Sequence, residues 1–221
     1  MNVRKFAAVI FAVSVALVIA PVFAHGDSIG GPTCGTCNGA TFTLTYNPDP
    51  IASTATTQTF DFEYTVNVAG FNAAANGTQL YLEAIALKPA SSVLDPSTLL
   101  SAPGAIGNWT NPLITGTLNS DACSDTSGDA FACTQASSLG SFNGFTVGQS
   151  KTFTFDLAIT VATGTIAAFD SSIKAEFVNA NGTKVGSLLS EHIDAPEPSS
   201  ALFLGLTLPG VALVARRRIR S

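Results

Sequence analysis

Thr57-Gln58-Thr59-Phe60-Asp61-Phe62-Glu63-Tyr64-Thr65-Val66-Asn67-Val68 is the stretch from which the architecture can be read. Phe60, Phe62, Tyr64, Val66 and Val68 alternate with Asp61, Glu63, Thr65 and Asn67. A period of two, carried by aromatic and β-branched residues, is a strand with one buried face. Ser150–Val161 repeats the pattern through Phe153, Phe155, Leu157, Ile159 and Val161, and Thr41–Tyr46 repeats it more weakly through Phe42, Leu44 and Tyr46. Leu80–Leu87 is apolar on both faces except at Glu83, which predicts a central strand. Ile173–Val178 runs into Asn179-Ala180-Asn181-Gly182 and then Thr183–Leu189, a hairpin with an Asn-Gly turn. Turn residues punctuate the rest at 47–50, 72–77, 101–107 and 121–128. No sustained helical period occurs between these segments, although Ser91–Leu100 leaves room for one helical turn. Short strands divided by Gly, Asn and Pro turns predict an all-β protein, an antiparallel β-sandwich.

The chain has 221 residues, of which 46% are hydrophobic and 11% charged, with a formal net charge of -5. That balance excludes intrinsic disorder, which needs the reverse. Between residues 25 and 195 stand four lysines and 14 carboxylates, a net charge of -10. So acidic a domain disfavours nucleic acid and anionic lipid as partners.

The basic residues crowd the two ends. Arg4 and Lys5 precede an apolar run from Phe6 to Ala20, broken only by Ser14; Pro21 comes next, then Val22-Phe23-Ala24. This reads as a signal peptide over residues 1–24, cut between Ala24 and His25. At the other end, residues 194–221 hold a linker, Pro196-Glu197-Pro198, an uncharged run 201–215 and the cluster Arg216, Arg217, Arg218 and Arg220. An apolar helix closed by arginines is a stop-transfer element with its basic side cytoplasmic. The run is short for a lasting span, and Pro209-Gly210 weakens its helix. Residues 25–193 are then the exported β-sandwich, an ectodomain flanked by a signal peptide and a single apolar helix.

The order Pro-Glu-Pro, Gly-containing apolar helix and terminal arginine cluster, on an exported chain, resembles the PEP-CTERM sorting signal of Gram-negative bacteria. The resemblance is confined to the tail and the signal peptide. It implies a membrane-embedded exosortase as processing partner, cleavage near Pro196–Pro198, and transient anchoring in the membrane by the tail helix. It further implies a final place at the cell surface or in the extracellular matrix, in association with exopolysaccharide or biofilm.

Cys34, Cys37, Cys123 and Cys133 are the four cysteines. Their spacing fails the paired pattern of a zinc ribbon, and Cys34-Gly-Thr-Cys37 lies in a Gly-rich loop rather than at a helix start. Outside the cytoplasm four cysteines read as two disulfides. Three connectivities exist. Cys123–Cys133 is favoured because it staples the turn-rich stretch 119–133, which leaves Cys34–Cys37. Asp121, Asp125 and Asp129 share that stretch and are weak Ca²⁺ candidates; a solvated acidic loop is favoured, since the spacing is not that of an EF-hand. No cofactor is expected.

Catalytic constellations are sparse. His25 flanks the cleavage point and His192 the linker, and neither has an evident nucleophile beside it. Asp61 and Glu63 share one strand face, which an exposed polar face explains. Trp109, Tyr46, Tyr64 and Tyr81 are the aromatic residues with which a sandwich could stack sugars; Tyr46 and Tyr64 fall on apolar faces, and burial is favoured for Trp109. The three Asn-X-Thr triplets at 76, 108 and 181 are expected by chance in a Thr-rich chain. The resulting expectation is a non-catalytic surface protein. The alternatives are a carbohydrate-binding module, or a carbohydrate-active enzyme with the same tail.

Overall fold

A computed structural model describes residues 25–30, 34–72, 79–89, 93–119, 122–124, 131–164 and 170–194. The signal peptide and the sorting tail, with Ala24, Pro196, Glu197, Pro198, Arg216, Arg217, Arg218 and Arg220, lie outside the described residues, as do Asp121, Asp125 and Asp129.

Thirteen strands are described: β1 His25–Gly30, β2 Thr41–Tyr46, β3 Ala52–Ser53, β4 Thr57–Asn67, β5 Gln79–Lys88, β6 Leu94–Ser101 and β7 Ile114–Asn119. They continue with β8 Ala122–Ser124, β9 Phe131–Gln135, β10 Gly144–Thr146, β11 Thr152–Ala162, β12 Asp170–Asn179 and β13 Lys184–Asp194. Among the described residues the helical content is a single 3₁₀ turn at Ile106–Asn108. The first sheet runs β1-β2-β4-β11-β6, with β3 on β4; the second runs β13-β12-β5-β9-β7-β8, with β10 on β5. Every pairing is antiparallel. The chain crosses between the sheets repeatedly, so each sheet is assembled from distant segments.

The alternating faces meet between the sheets. Phe60, Phe62, Tyr64 and Val66 of β4 and Phe153, Phe155, Leu157, Ile159 and Val161 of β11 are buried from the first sheet. Leu80, Leu82, Ile85 and Leu87 of β5 and Ile173, Ala175 and Phe177 of β12 face them from the second. Aromatic contacts bridge the layers: Phe177 lies 6.4 Å from Phe42 between ring centroids, and Trp109 meets Phe155 edge-on at 4.7 Å. Each such pair adds to simple area burial. Tyr64 lies wholly in this core, and its hydroxyl donates to the Lys174 carbonyl across the layers at 3.3 Å. Burial holds the Tyr64 phenol well above its ordinary range.

The Asn-Gly hairpin forms as read. Asn179 Oδ1 accepts from the Asn181 and Thr183 amides, and Gly182 takes φ 73, a left-handed conformation that glycine adopts without steric cost. Leu80–Leu87 is central, with β12 on one side and β9 and β10 on the other.

Ser91–Leu100 departs from the reading. Its described residues carry, in place of a helical turn, β6, an edge strand beside β11. Side-chain bonds tie it on both sides, to β11 through Ser97 and outward through Asn111. Ser97 Oγ accepts from the Thr160 amide at 3.0 Å, and the Asn111 amide group both accepts from Leu99 N–H at 3.0 Å and donates to Leu99 O at 3.4 Å. Asn111 thereby occupies backbone groups that an edge strand would otherwise present to another chain. The strand β1, absent from the sequence reading, pairs along its whole length with β2, from His25↔Tyr46 to Gly30↔Thr41.

Candidate functional site

Three surfaces hold the chemistry-bearing residues. The first is the outer face of the first sheet. Asp61 and Glu63 of β4 both point there, because Phe60, Phe62 and Tyr64 claim the core face. The register sets Asp156 of β11 directly opposite Glu63 and Ala158 opposite Asp61. Three carboxylates therefore share one patch, with Thr65, Thr154, Thr59 and Thr160 along the same strands. Ser101 Oγ donates to Asp156 Oδ2, which localises one of these charges. Partial burial, and secondarily the Asp156 charge, push the Asp61 carboxyl above its usual range. Carboxylates this close on adjacent strands repel. The hydroxyls around them make a polar, hydrogen-bonding plane.

The second surface is the outer face of the second sheet. A bulge in β5 creates it. Ala84 pairs with Glu176 and Leu82 with Phe177, so Glu83 is the extra residue and the inside-outside alternation slips by one. Leu80 and Leu82 face the main core before the bulge, and Ile85 and Leu87 face it after; Ala84 and Ala86 are turned out. They form a second buried cluster with Leu118, Phe131 and Cys133. The β7–β8 hairpin lies over this cluster. Residues 114–116 of β7 pair with β9, and residues 117–119 pair with β8 instead. Cys123 of β8 is bridged to Cys133 of β9, and its amide donates to Gln135 Oε1 at 2.9 Å. The segment between the two cysteines, read as a turn-rich loop, thus contributes strands at both ends.

Polar groups rim that roof. Glu176, 1% exposed, takes a salt bridge from Lys184 at 3.6 Å. Glu83 stands nearby; burial raises its carboxyl above the ordinary range, and the Lys184 ammonium pulls it partly back. The Lys174 and Lys88 ammoniums lie 4.3 Å and 5.6 Å from the Phe131 ring centroid, both cation–π contacts.

The third surface is where the sheets meet along β1 and β13. Cys34 and Cys37 are bridged, which closes the second disulfide, and no described cysteine is free. Ala40 N–H donates to Cys37 O, and Asn72 N–H to Asn38 O, so the 34–40 segment is a tight turn pinned to the chain following β4. Thr36 Oγ1 donates to Glu191 of β13.

The sequence candidates divide accordingly. Both favoured cysteine pairs form. Trp109 is 3% exposed, and its indole N–H donates to Pro103 O at 3.0 Å, so it is core rather than a sugar platform. Tyr46 is half-buried and stacks on Phe62, with centroids 5.8 Å apart. Tyr81 is half-buried on the outer side of β5, opposite Gly144, which offers no side chain to cover it. His192 is exposed on β13 and His25 opens β1. Among the described residues, no group of three or more His, Cys, Asp or Glu is placed to hold a metal ion. The roofed cluster and the Glu83–Glu176–Lys184 group escaped the sequence reading. Their signal was Ala84 and Ala86, small apolar residues in a strand apolar on both faces.

No protein-family model matches the chain, and no curated protein matches it. Solved structures similar to it include a Northeast Structural Genomics Consortium target, SoR45, at TM-score 0.36 and 9% identity, over 73% of this chain and 87% of that one. Another is BspA_C_WT, at TM-score 0.31 and 10% identity, over 59% of this chain and 40% of that one. A protein described as membrane anchored, from Corynebacterium diphtheriae, is similar at TM-score 0.25 and 10% identity, over 78% of this chain and 52% of that one.

Proposed function

We propose that this chain is an exported, non-catalytic surface or matrix protein, sorted by an exosortase through its tail and associated with exopolysaccharide. The observation that carries the reading is the pairing of all four cysteines within an acidic sandwich. Two closed disulfides belong to an oxidising compartment, outside the cytoplasm. The signal-peptide pattern accounts for arrival there, and the Pro-Glu-Pro tail accounts for processing after arrival. Two prolines bracketing Glu197 keep that segment extended and off any helix. The arginine cluster holds the far end of the apolar run at the cytoplasmic face. The tripeptide then stands near the outer interface, within reach of a membrane-embedded peptidase.

Mass spectrometry on the protein from its own host tests this. The mature chain begins at His25 and ends near residues 196–198. Replacing Pro196, Glu197 and Pro198 together by alanine keeps the full-length chain in the membrane. A mature protein that retains Arg216–Arg220 beside an active exosortase makes the tail an ordinary anchor and defeats the proposal.

A second reading, a carbohydrate-binding module, draws on Tyr81. Its ring stands half-exposed on the outer side of β5 beside Gly144, with Gln79 and Glu83 in line along the strand. A glycan array separates the two. Specific glycan binding that is lost in Tyr81→Ala makes the domain a binding module; no specific glycan leaves the structural reading.

A further inference from the structure

Cys34 and Cys37 are three positions apart. Closing so short a loop removes little entropy from the unfolded chain, so the bridge matters for what the loop holds in the fold. The loop is a clasp between the sheets. It leads into β2 of the first sheet, yet its side chains grip β13, the outermost strand of the second. Thr36 Oγ1 donates to Glu191, and Asn38 Nδ2 donates to Ser187 O at 3.4 Å. To do so, Asn38 takes φ 51 and Gly39 φ 78, consecutive left-handed residues just after the bridge. Asn38 is the non-glycine residue with positive φ among those described, a conformation Asn tolerates better than other side chains and here accompanied by its own bond to Thr36 O.

Each bridge joins a fully buried cysteine, Cys37 or Cys133, to a half-buried one, Cys34 or Cys123; they differ in what adjoins the half-buried sulfur. Cys37 is buried, whereas Cys34 borders an open cleft of about 380 Å³ lined by Ser28, Ile29, Gly30, Gly35 and Glu191. In the other bridge Cys133 is fully buried, and Cys123 is packed against the roofed cluster with its amide held by Gln135.

We infer that Cys34–Cys37 is a thiol–disulfide exchange site, the substrate of an external dithiol reductant, and that its reduction unclasps β13. A thiolate of the reductant enters the cleft and attacks Cys34 Sγ. A mixed disulfide forms and Cys37 leaves as a thiolate, which takes up a proton. The second thiol of the reductant, as thiolate, then attacks the reductant sulfur of that mixed disulfide, and Cys34 leaves and is protonated. Two electrons pass to the protein pair, and the reductant ends as a disulfide. With the bridge open, the turn keeps its backbone bonds from Ala40 to Cys37 and from Asn72 to Asn38 but loses its covalent closure, and Thr36 and Asn38 let go of Glu191 and Ser187. The freed edge strand presents backbone groups on which another chain can pair. This inference stands independently of how the tail is processed.

The test uses the oxidised, exported protein and limiting dithiothreitol, with alkylation at timed intervals and peptide mapping. Cys34 and Cys37 become alkylated at least about tenfold faster than Cys123 and Cys133. Hydrogen exchange over residues 186–192 then rises at least about tenfold, while that of β4 stays as it was. Reduction of the Cys123–Cys133 bridge at an equal or faster rate overturns the assignment, as does unchanged exchange in β13 after the first bridge opens. Cys34→Ser with Cys37→Ser reproduces the raised exchange without reductant. Should that variant fail to fold, Thr36→Val keeps both sulfurs and removes the hydroxyl that holds Glu191. Its bridge is reduced faster than that of the unaltered protein, and an unchanged rate there breaks the link between clasp and bridge.

Discussion

The outer faces of the two sheets start from similar strands and end as different surfaces. On the first sheet, Asp61, Glu63, Thr154 and Asp156 stand outward on β4 and β11, which pair over eleven residues without a bulge. Asp61 and Asp156 are half-buried and Glu63 and Thr154 exposed, and no buried apolar cluster of the described residues lies over them. On the second, the bulge at Glu83 turns Ala84 and Ala86 outward, and the chain returns as the β7–β8 hairpin to cover them. A polar face needs only water. An apolar face needs a roof, and this chain supplies one stapled through Cys123–Cys133. The sandwich therefore has two cores on either side of one sheet: a large aromatic one, and a small one whose cover is covalently fixed.

Truncation at the large core gives the largest expected effects. Phe177→Ala empties a fully buried site that touches Phe42, Phe71 and Phe145, and Phe155→Ala does the same beside Trp109. Each loses about 3–5 kcal/mol in urea denaturation, because the aromatic shell relaxes only partly around the hole. A loss under about 1 kcal/mol from both would mean that the large core is not packed as described.

Removing the staple comes next. Cys123→Ser with Cys133→Ser frees a loop whose ends are ten positions apart and costs about 2–3 kcal/mol. If the hairpin is a roof rather than an ornament, a dye that reports exposed apolar surface binds this variant in its folded state. An unchanged melting temperature with no dye binding would remove the distinction between the two faces.

A smaller loss tests the edge of the first sheet. Asn111→Ala deprives Leu99 of the side-chain amide that meets both its backbone groups. At this exposed position water replaces the lost bonds, so the variant is destabilised by only about 0.5–1.5 kcal/mol in thermal denaturation. Its amide exchange at Leu99 rises; unchanged exchange there would show that Asn111 does not guard the edge.

The smallest effect belongs to the open acidic face. Asp61 has its carboxyl raised by partial burial and by Asp156, so the folded chain binds its proton more tightly than the unfolded chain does. Its contribution to stability is full below the ordinary carboxyl range and is lost as pH rises through the raised value. Asp61→Asn removes that loss. The variant matches the unaltered protein in strong acid and gains a few tenths of a kcal/mol at neutral pH, where solvent screens the charge. Stability that instead falls on substitution at neutral pH would mean the carboxylate has a favourable partner, and the face would no longer be purely repulsive.

How legible each region was depends on the same contrast. Strands β2, β4 and β11, the central place of β5 and the Asn-Gly hairpin could all be read, because a sheet with one dry and one wet face must alternate and a tight turn must contain residues tolerant of left-handed backbone. Strands β1 and β6 could not. His25–Gly30 is short and polar, and Leu94–Ser101 contains Asp95 and Pro96; each is a strand only because a long neighbour, β2 or β11, supplies the hydrogen-bond ladder. The carboxylates Asp61 and Glu63 were visible as one face of a strand, but Asp156 joins them only through register with a segment some ninety positions away.

Local pattern and composition were enough to specify the class of fold and the buried faces of β2, β4 and β11, and to favour the cysteine pairing that forms. These depend on period, on spacing and on compartment. The folded chain was needed to establish which strands lie at the edges, that Glu83 is a bulge, that a hairpin roofs the second sheet, and that the Cys34–Cys37 loop clasps β13. Each of those rests on contacts between residues far apart in the chain, where the gain comes from burying a face or satisfying a backbone group that no local pattern identifies.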